Sequence, residues 1–239
     1  MTPLEVLFED NHCLVVNKPA GLLSMGDETG DASLVAWAME DLRIRHQKPG
    51  NVYVGLVHRL DRPVSGVMLL AKTSKAASRI AAQFRAREPE KTYLTLTEGT
   101  LHPASGELVD WLVKDNDRNH TWVAGKNTTG AKEAKLRYRL LGTIPSLAPS
   151  GFGSRTLVEV QPLTGRSHQI RVQLAHAGAV IVGDLRYGSQ CALGAMIALH
   201  ARSLTFEHPV KHEPVTIQAP LPSTWQPLLG DSLWHQFQA

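Results

Sequence analysis

GLVHRLDRPVSGVMLLAKTSKAA, at residues 55–77, decides more about this chain than any other stretch. It places one carboxylate, Asp61, between two arginines, and the apolar run at residues 67–71 predicts a buried strand. Pro63 fixes its own φ, and Gly66 frees the backbone in a predicted Ser-Gly turn just before that strand. We therefore expect Asp61 to lie in a shaped, cation-rich loop that is supported by a strand.

The charges around Asp61 suggest a chemical role for this loop. Arg59 and Arg62 flank the carboxylate, and neighbouring positive charge favours the ionised form of a carboxyl group. An ionised carboxylate can act as a nucleophile or as a base. The alternative is an exposed ion pair in a turn, which contributes little to stability.

The loop that carries Asp61 closely resembles the signature of the RluA-type pseudouridine synthases, in which HRLD holds the catalytic aspartate. Four further blocks resemble motifs of that family and occur in the same order. They are EVLFEDNHCLVVNKPAGLLS (residues 5–24), KTY (91–93), LTGRSHQIRVQLAHAGAVIVGDLRYG (163–188) and LHARSLTFEHP (199–209). On these motifs the chain is identified as a member of the family.

The resemblance implies that the protein isomerises uridine in RNA to pseudouridine. In this reaction the bond from N1 to C1′ breaks, and the uracil rotates and rejoins the ribose through C5. Asp61 would attack C1′ or remove the 2′ proton to give a glycal, and the sequence leaves both routes open. Arg171 would pair with this aspartate, and Tyr93 would stack on the uracil and take the C5 proton. Without the resemblance, Arg171 would be an exposed helix cation and Tyr93 a half-buried strand residue.

The resemblance also implies RNA contacts around the site. A uridine in folded RNA has to be flipped out before an enzyme can reach it, and Arg59 matches the family residue that fills the vacated stack. We expect His58 to orient the loop by hydrogen bonds rather than to transfer a proton. His58, Arg62, Arg166 and His168 are further predicted RNA contacts, since clustered basic residues suit phosphates.

A second basic cluster follows the Asp61 loop. It can bind RNA phosphates, or it can be the solvated face of a helix whose apolar stripe packs inward. The formal net charge of +3 does not separate the two interpretations. The cluster consists of Lys72, Lys75, Arg79, Arg85, Arg87 and Lys91.

Composition excludes several other classes of function. With 43% apolar residues among 239, the chain can build a sizeable core. It has no apolar run of about 20 residues, no secretory leader and neither common glycine-rich nucleotide motif. We therefore expect a cytoplasmic protein with no membrane partner and no cofactor. His168 and His176 lack the spacing of a metal motif, so no metal is expected, and Cys13 is expected to be a buried thiol.

Periodicity predicts an α+β fold, with a mixed, mostly antiparallel β-sheet and flanking helices. The resemblance implies that this is the pseudouridine synthase catalytic fold. Helices are expected at residues 31–46, 74–87 and 166–177, with Asp31 or Ser33 capping the first and Ser74 the second. Strands are expected at residues 6–8, 14–16, 67–71, 92–97, 133–141, 156–161, 199–206 and 215–219. Residues 115–130 are expected to form a mobile excursion, residues 145–154 a loop and the last few residues a disordered end.

Residues 1–239 are expected to form a single catalytic domain and a monomer, without the N-terminal S4-like RNA-binding module of many relatives. Two positions depart from the family pattern: Val64 stands where Thr is usual, and Gln173 where His is common. Both are expected to affect loop support or RNA contacts. Asp184 is expected to anchor a turn near Arg186.

Two other functions fit parts of this pattern. One is a non-catalytic RNA-binding protein that keeps the synthase fold. The other is hydrolysis of the glycosidic bond, which would need a second cooperating carboxylate, whereas the sequence offers only Asp61 near the motif. The substrate class, ribosomal or transfer RNA, and the modified uridine are left open.

Overall fold

Twelve strands and four α-helices lie in the residues that the computed structural model describes, which are 4–28, 30–47, 49–145 and 154–238. The chain divides into two units, residues 1–91 with 201–220 and residues 92–200 with 221–239. The strand pairs of described register are antiparallel, and the predicted mixed, mostly antiparallel α+β fold is confirmed. The expectation of one catalytic domain over residues 1–239 stays a prediction.

The element bounds are as follows. The strands are β1 (Glu5–Glu9), β2 (Cys13–Lys18), β3 (Gly55–Leu56), β4 (Ser65–Ala71), β5 (Glu90–Glu98), β6 (Ser105–Asp115), β7 (His120–Ala124), β8 (Lys132–Ile144), β9 (Arg155–Pro162), β10 (Val180–Ile181), β11 (Leu199–Glu207) and β12 (Pro214–Gln218). The helices are α1 (Leu34–Arg45), α2 (Ser74–Ala86), α3 (Gln169–His176) and α4 (Gln226–Phe237), and a 3₁₀ turn spans Leu185–Tyr187.

The first unit is built around β4, the strand that follows the Asp61 loop. Its strand order is β1-β2-β4-β11, with β3 also pairing with β4 and β12 with β11. Every residue of β4 is buried, as the apolar run predicts. One core cluster joins this strand to its neighbours and to α2, through Val15, Leu69, Ile80, Leu204 and Phe206 among others.

Both helices of the first unit begin at hydroxyl caps. The Ser33 Oγ accepts a hydrogen bond from the Ala36 N–H at 3.3 Å, so Ser33 and not Asp31 is the N-cap of α1. For α2 the cap is Thr73, whose Oγ1 accepts from Ala76 N–H at 3.1 Å. The predicted cap, Ser74, was therefore wrong by one residue, because the preceding threonine offers the same chemistry.

Gly66 corrects the predicted Ser-Gly turn, since it lies inside β4. Its φ is +118°, and a Cβ added there would lie 2.2 Å from the Ala201 carbonyl oxygen. The glycine is thus needed because the β11 backbone approaches it closely. The sequence around Gly66 does not indicate that β11 lies beside it.

The second unit has the strand order β5-β9-β8-β6-β7, with β10 pairing with β5. The predicted mobile excursion at residues 115–130 was wrong in part, because β7 lies within it and pairs with β6. Neither β6 nor β7 was predicted, since their polar residues mask a two-residue alternation. The predicted loop at residues 145–154 falls mainly on residues 146–153, outside the described part of the chain.

The chain end also differs from the prediction, because the unpredicted helix α4 extends to Phe237, into the last few residues where a disordered end was expected. Its position is explained by burial of Leu228, Leu229 and Trp234, with Trp225 just before it.

The predicted burial of Cys13 is confirmed, and burial raises the pKa of its thiol to about 12. No helix in the described residues has the length and hydropathy needed to cross a membrane.

Glu9 is the centre of an ion-pair network in the first unit. Its carboxylate contacts Lys72 Nζ at 2.6 Å, Arg45 Nη1 at 2.7 Å and His46 Nε2 at 2.9 Å. Burial raises the pKa of Glu9, but the hydrogen bonds from these three groups outweigh it and lower the pKa to about 2. The folded state therefore favours the ionised carboxylate.

We expect Glu9→Gln to lower the free energy of unfolding by about 1–2 kcal/mol at neutral pH. Because the folded-state pKa lies below the ordinary value of 4.5, the stabilisation is complete above that pH and is lost as the pH falls towards about 2. Urea unfolding across this range measures it. Glu40→Gln, which removes a half-exposed pair with Arg43, is the control and should change stability little at any pH. A Glu9→Gln deficit that did not shrink in acid would contradict the assignment.

Candidate active site

The loop of residues 58–61 (HRLD) is hydrogen-bonded to the turn that follows β2. The Ser24 hydroxyl donates to the Leu60 carbonyl at 2.6 Å, and the Leu60 N–H donates to the Ser24 oxygen at 3.2 Å. Gly21 N–H donates to the Arg62 carbonyl at 2.8 Å. The residues on both sides of Asp61 are therefore fixed, and a Val64 N–H bond to the Asp61 carbonyl at 3.0 Å closes the turn.

Lys18 lies under the same loop and was not identified from the sequence. Its side chain is fully buried, and its Nζ donates to the carbonyls of Pro19 at 3.0 Å, Leu22 at 2.7 Å and Arg62 at 3.3 Å. Burial lowers the pKa of Lys18 to about 7, while the Asp61 charge opposes this shift. Lys18 is thus close enough to Asp61 for the two charges to interact. The NKPAG motif, which contains this lysine, is the sequence feature that could have identified it.

His58 joins the start of the loop to β4 and α2. Its Nε2 accepts the Leu69 N–H at 2.9 Å, and its ring stacks on Phe84 at 4.6 Å between centroids. Burial, and then the Lys91 charge, lowers the pKa of His58 to about 3, so the ring is neutral near neutral pH. These contacts orient the loop, in the way that the sequence predicts for His58. Its contact with RNA stays a prediction.

Arg59 and Arg62 extend to the surface from either side of Asp61. Arg59 is exposed. The half-exposed guanidinium of Arg62 donates to Asp31 at 2.8 Å and to the Gly21 carbonyl at 3.0 Å. Both arginines are therefore accessible to solvent, and their contacts with RNA stay predictions.

In the second unit, Arg171 is buried in α3 and not on the helix surface. It is 5% exposed, and its Nε and Nη2 donate to the two carboxylate oxygens of Asp184 at 2.7 and 2.8 Å. Its Cζ lies 5.1 Å from the centre of the Tyr187 ring. The Asp184 backbone does anchor a turn, since its carbonyl accepts from Tyr187 and Ser189 at 3.0 and 3.1 Å. Its side chain, however, holds Arg171, which the sequence did not indicate.

The other predicted residues of the second unit surround this pair or lie on the sheet. Tyr93 is partly buried on β5, opposite Val160 of β9. Arg166 Nε donates to the Glu133 carbonyl at 2.9 Å. His168 is 7% exposed and its Nδ1 lies 2.8 Å from the Tyr187 hydroxyl, so this histidine supports Tyr187 within the protein. Its predicted contact with RNA stays a prediction.

The structure therefore describes two groups of candidate residues. In the first unit, the Asp61 loop brings together His58, Arg59 and Arg62 above Lys18. In the second unit, Arg171 is grouped with Asp184 and Tyr187. The pairing of Arg171 with Asp61 stays a prediction.

Gln173, one of the two departures from the family pattern, is fully buried in α3. Its Nε2 donates to Asp110 Oδ2 at 2.8 Å and contacts the Leu108 and Ala134 carbonyls at 3.3 Å. It thus ties α3 to β6 and β8, which is a supporting role. Val64, the other departure, is also buried, with 2% of its surface exposed.

Asp10, Cys13 and His208 form a group close enough to be considered as a metal site among the described residues. The His208 Nδ1 accepts the Lys211 N–H at 2.9 Å, so the proton of the neutral ring is on Nε2, which lies 2.7 Å from Asp10 Oδ2. A histidine that binds metal normally donates its second ring N–H to an acceptor, and here that nitrogen is itself an acceptor. The geometry of His208 therefore fits a hydrogen bond to Asp10 better than a bond to a metal.

Comparisons with known proteins agree on one family. Residues 12–176 match the family model described as RNA pseudouridylate synthase. The ribosomal large subunit pseudouridine synthase D of Xylella fastidiosa is 36% identical over 95% of this chain and 69% of its own length. The tRNA pseudouridine synthase C of Vibrio cholerae is 32% identical over 98% of this chain and 97% of its own. The solved structure of human RNA pseudouridylate synthase domain containing 4 aligns with a TM-score of 0.74 and 25% identity, over 92% of this chain and 90% of that one.

Proposed function

Because this chain belongs to the RNA pseudouridylate synthase family and is an RNA pseudouridine synthase, we propose that Asp61, Arg171 and Tyr93 carry out its reaction. The observation that carries the proposal is the construction of the HRLD loop. Ser24 and Lys18 fix the backbone on both sides of Asp61, and the loop itself is short. A carboxylate that has to meet one ribose carbon needs such fixed geometry.

Asp61 acts at the ribose. As a nucleophile it attacks C1′ and releases uracil, and as a base it removes the 2′ proton to give a glycal. Both routes begin from the ionised carboxylate. Lys18 is buried beside the loop, close enough for its charge to interact with that of Asp61.

Arg171 stabilises the carboxylate and Tyr93 completes the exchange. A guanidinium carries five N–H donors in a rigid fork, which is more than one carboxylate accepts, so an arginine that binds Asp184 can also serve a second carboxylate. Tyr93 stacks on the detached uracil, and its hydroxyl removes the C5 proton after the new bond has formed. The reaction is an isomerisation, so it consumes no nucleotide and needs no metal.

Basic side chains from both units hold the RNA. Arg59 enters the stack as the uridine is flipped out, and Arg62 and Arg166 contact phosphates nearby. The substrate is a structured ribosomal or transfer RNA, the two kinds of RNA that appear in the names of the relatives. We further propose that the protein works in the cytoplasm as a monomer with one catalytic domain.

Pseudouridine mapping of total RNA with and without this gene tests the proposal. We expect one or more pseudouridines in ribosomal or transfer RNA to disappear and to return when the gene is restored. The purified chain should then convert the same uridine without releasing free uracil. Release of uracil would indicate hydrolysis, and an unchanged map with retained RNA binding would indicate a non-catalytic binding protein. Either result would overturn the proposal.

A further inference from the structure

Two side chains that follow Arg171 in the chain, Asp184 and Tyr187, contact its guanidinium. Asp184 accepts two charge-assisted hydrogen bonds at 2.7 and 2.8 Å, and this carboxylate is 1% exposed. These bonds use the edge formed by Nε and Nη2, so they define the plane of the guanidinium. They do not prevent the group from tilting about that edge.

The ring of Tyr187 restricts that tilt. The Arg171 Cζ lies over the ring at 5.1 Å, within the range of a cation–π contact. A ring at this position limits the rotation of the guanidinium about its two bonds to Asp184. The carboxylate and the ring thus both restrict the orientation of the guanidinium.

Tyr187 is itself fixed on several sides. Its hydroxyl lies 2.8 Å from His168 Nδ1 and accepts the Thr121 N–H at 3.2 Å. The His120 ring stacks on it at 5.0 Å between centroids. Nearby, the Arg186 Nη1 donates to the Asn119 carbonyl at 2.6 Å, which ties the 3₁₀ turn to the β6–β7 connection.

We infer that Tyr187 is a positioning residue, which acts on catalysis through the face that its ring presents to Arg171. This inference rests on the proposed function, because it assigns Tyr187 a part in placing the arginine that serves Asp61. The ring rather than the hydroxyl carries the effect. The hydroxyl holds Tyr187 in place, but His120 stacking and the turn hold it as well.

Two substitutions separate the ring from the hydroxyl. Tyr187→Phe keeps the face and removes the hydrogen bonds, and Tyr187→Leu removes the face. The measurements are single-turnover rate constants and half-saturating protein concentrations, with C5-tritiated RNA taken from cells that lack this gene. We expect Tyr187→Leu to lower the saturating rate about 10-fold or more and to leave half-saturation within about 2-fold. Tyr187→Phe should stay within about 3-fold of the parent rate.

A double-substitution cycle with Arg171→Lys tests whether Tyr187 acts through the arginine. Lysine keeps the charge but lacks the planar fork, so in that background Tyr187→Leu should lower the rate less than about 2-fold. Additive losses would overturn the inference, as would a Tyr187→Phe variant as slow as Tyr187→Leu. If Tyr187→Leu does not fold, as judged by urea unfolding, a slow Tyr187→Phe variant would still overturn the inference, and Tyr187→His, which keeps a flat ring, should retain more of the parent rate than Tyr187→Val.

Failure of the proposed function gives a different result. If Arg171 has no part in the reaction, Arg171→Lys alone leaves the rate unchanged. If Arg171 takes part but Tyr187 does not position it, Arg171→Lys lowers the rate and Tyr187→Leu does not.

Discussion

Asp61→Asn is expected to lower the rate of pseudouridine formation by about 10⁴-fold or more, with RNA binding retained. Asparagine has nearly the same shape, so the Val64 N–H bond to the Asp61 carbonyl and the Ser24 and Lys18 contacts around the loop remain. What is lost is the negative charge. A neutral amide can neither attack C1′ nor remove the 2′ proton, and no other carboxylate in this loop replaces it.

Asp41→Asn serves as the matched control. Asp41 lies on α1 of the same unit and pairs with Arg45 at 2.6 Å, so its amide variant changes the same chemistry away from the loop. We expect it to retain the parent rate. Tritium release from C5-labelled RNA measures the rate, and filter binding measures the RNA affinity. An Asp61→Asn variant with more than about one-tenth of the parent rate would contradict the assignment.

Gly66→Ala is expected to have the largest effect on stability, lowering the free energy of unfolding by about 3 kcal/mol or more. The added methyl would lie 2.2 Å from the Ala201 carbonyl oxygen, 2.6 Å from its nitrogen and 2.7 Å from its carbonyl carbon. These are backbone atoms of β11 and cannot swing away as a side chain would. The φ of +118° adds a conformational cost, because a residue with a Cβ rarely adopts this backbone angle.

Gly130→Ala separates the steric and conformational costs. Gly130 also has positive φ, at +80°, but a Cβ added there meets nothing within 4 Å. It should therefore lose only about 1–2 kcal/mol, which is the cost of a left-handed backbone for alanine. Urea unfolding of the two variants and the parent gives the difference. Equal losses would show that the β11 backbone can shift, and would rule out the close approach as the reason for Gly66.

Strand β4 and the cap of α1 show what short-range pattern can predict. The run after Asp61 is apolar over successive residues, which predicts a strand that is buried on both faces. This prediction does not require knowledge of the neighbouring strands. Ser33 was one of two predicted caps, since a cap depends on residues within one turn of the helix. The hairpin of β6 and β7 was missed because its strands are half-exposed and polar.

The amino-acid sequence by itself determined the family, the loop that carries Asp61, the buried strand beside it and the α+β class. The loop and the strand depend on residue types within a few positions of one another. The family and the α+β class depend on the order in which such local patterns follow one another along the chain. Tertiary structure alone decided that Asp184 and Tyr187 hold Arg171, that Lys18 lies under the Asp61 loop, and that β11 passes against Gly66. A periodic pattern specifies which face of an element is buried, but not which side chain that face contacts. The partner depends on how the chain folds back between residues that are far apart in the sequence.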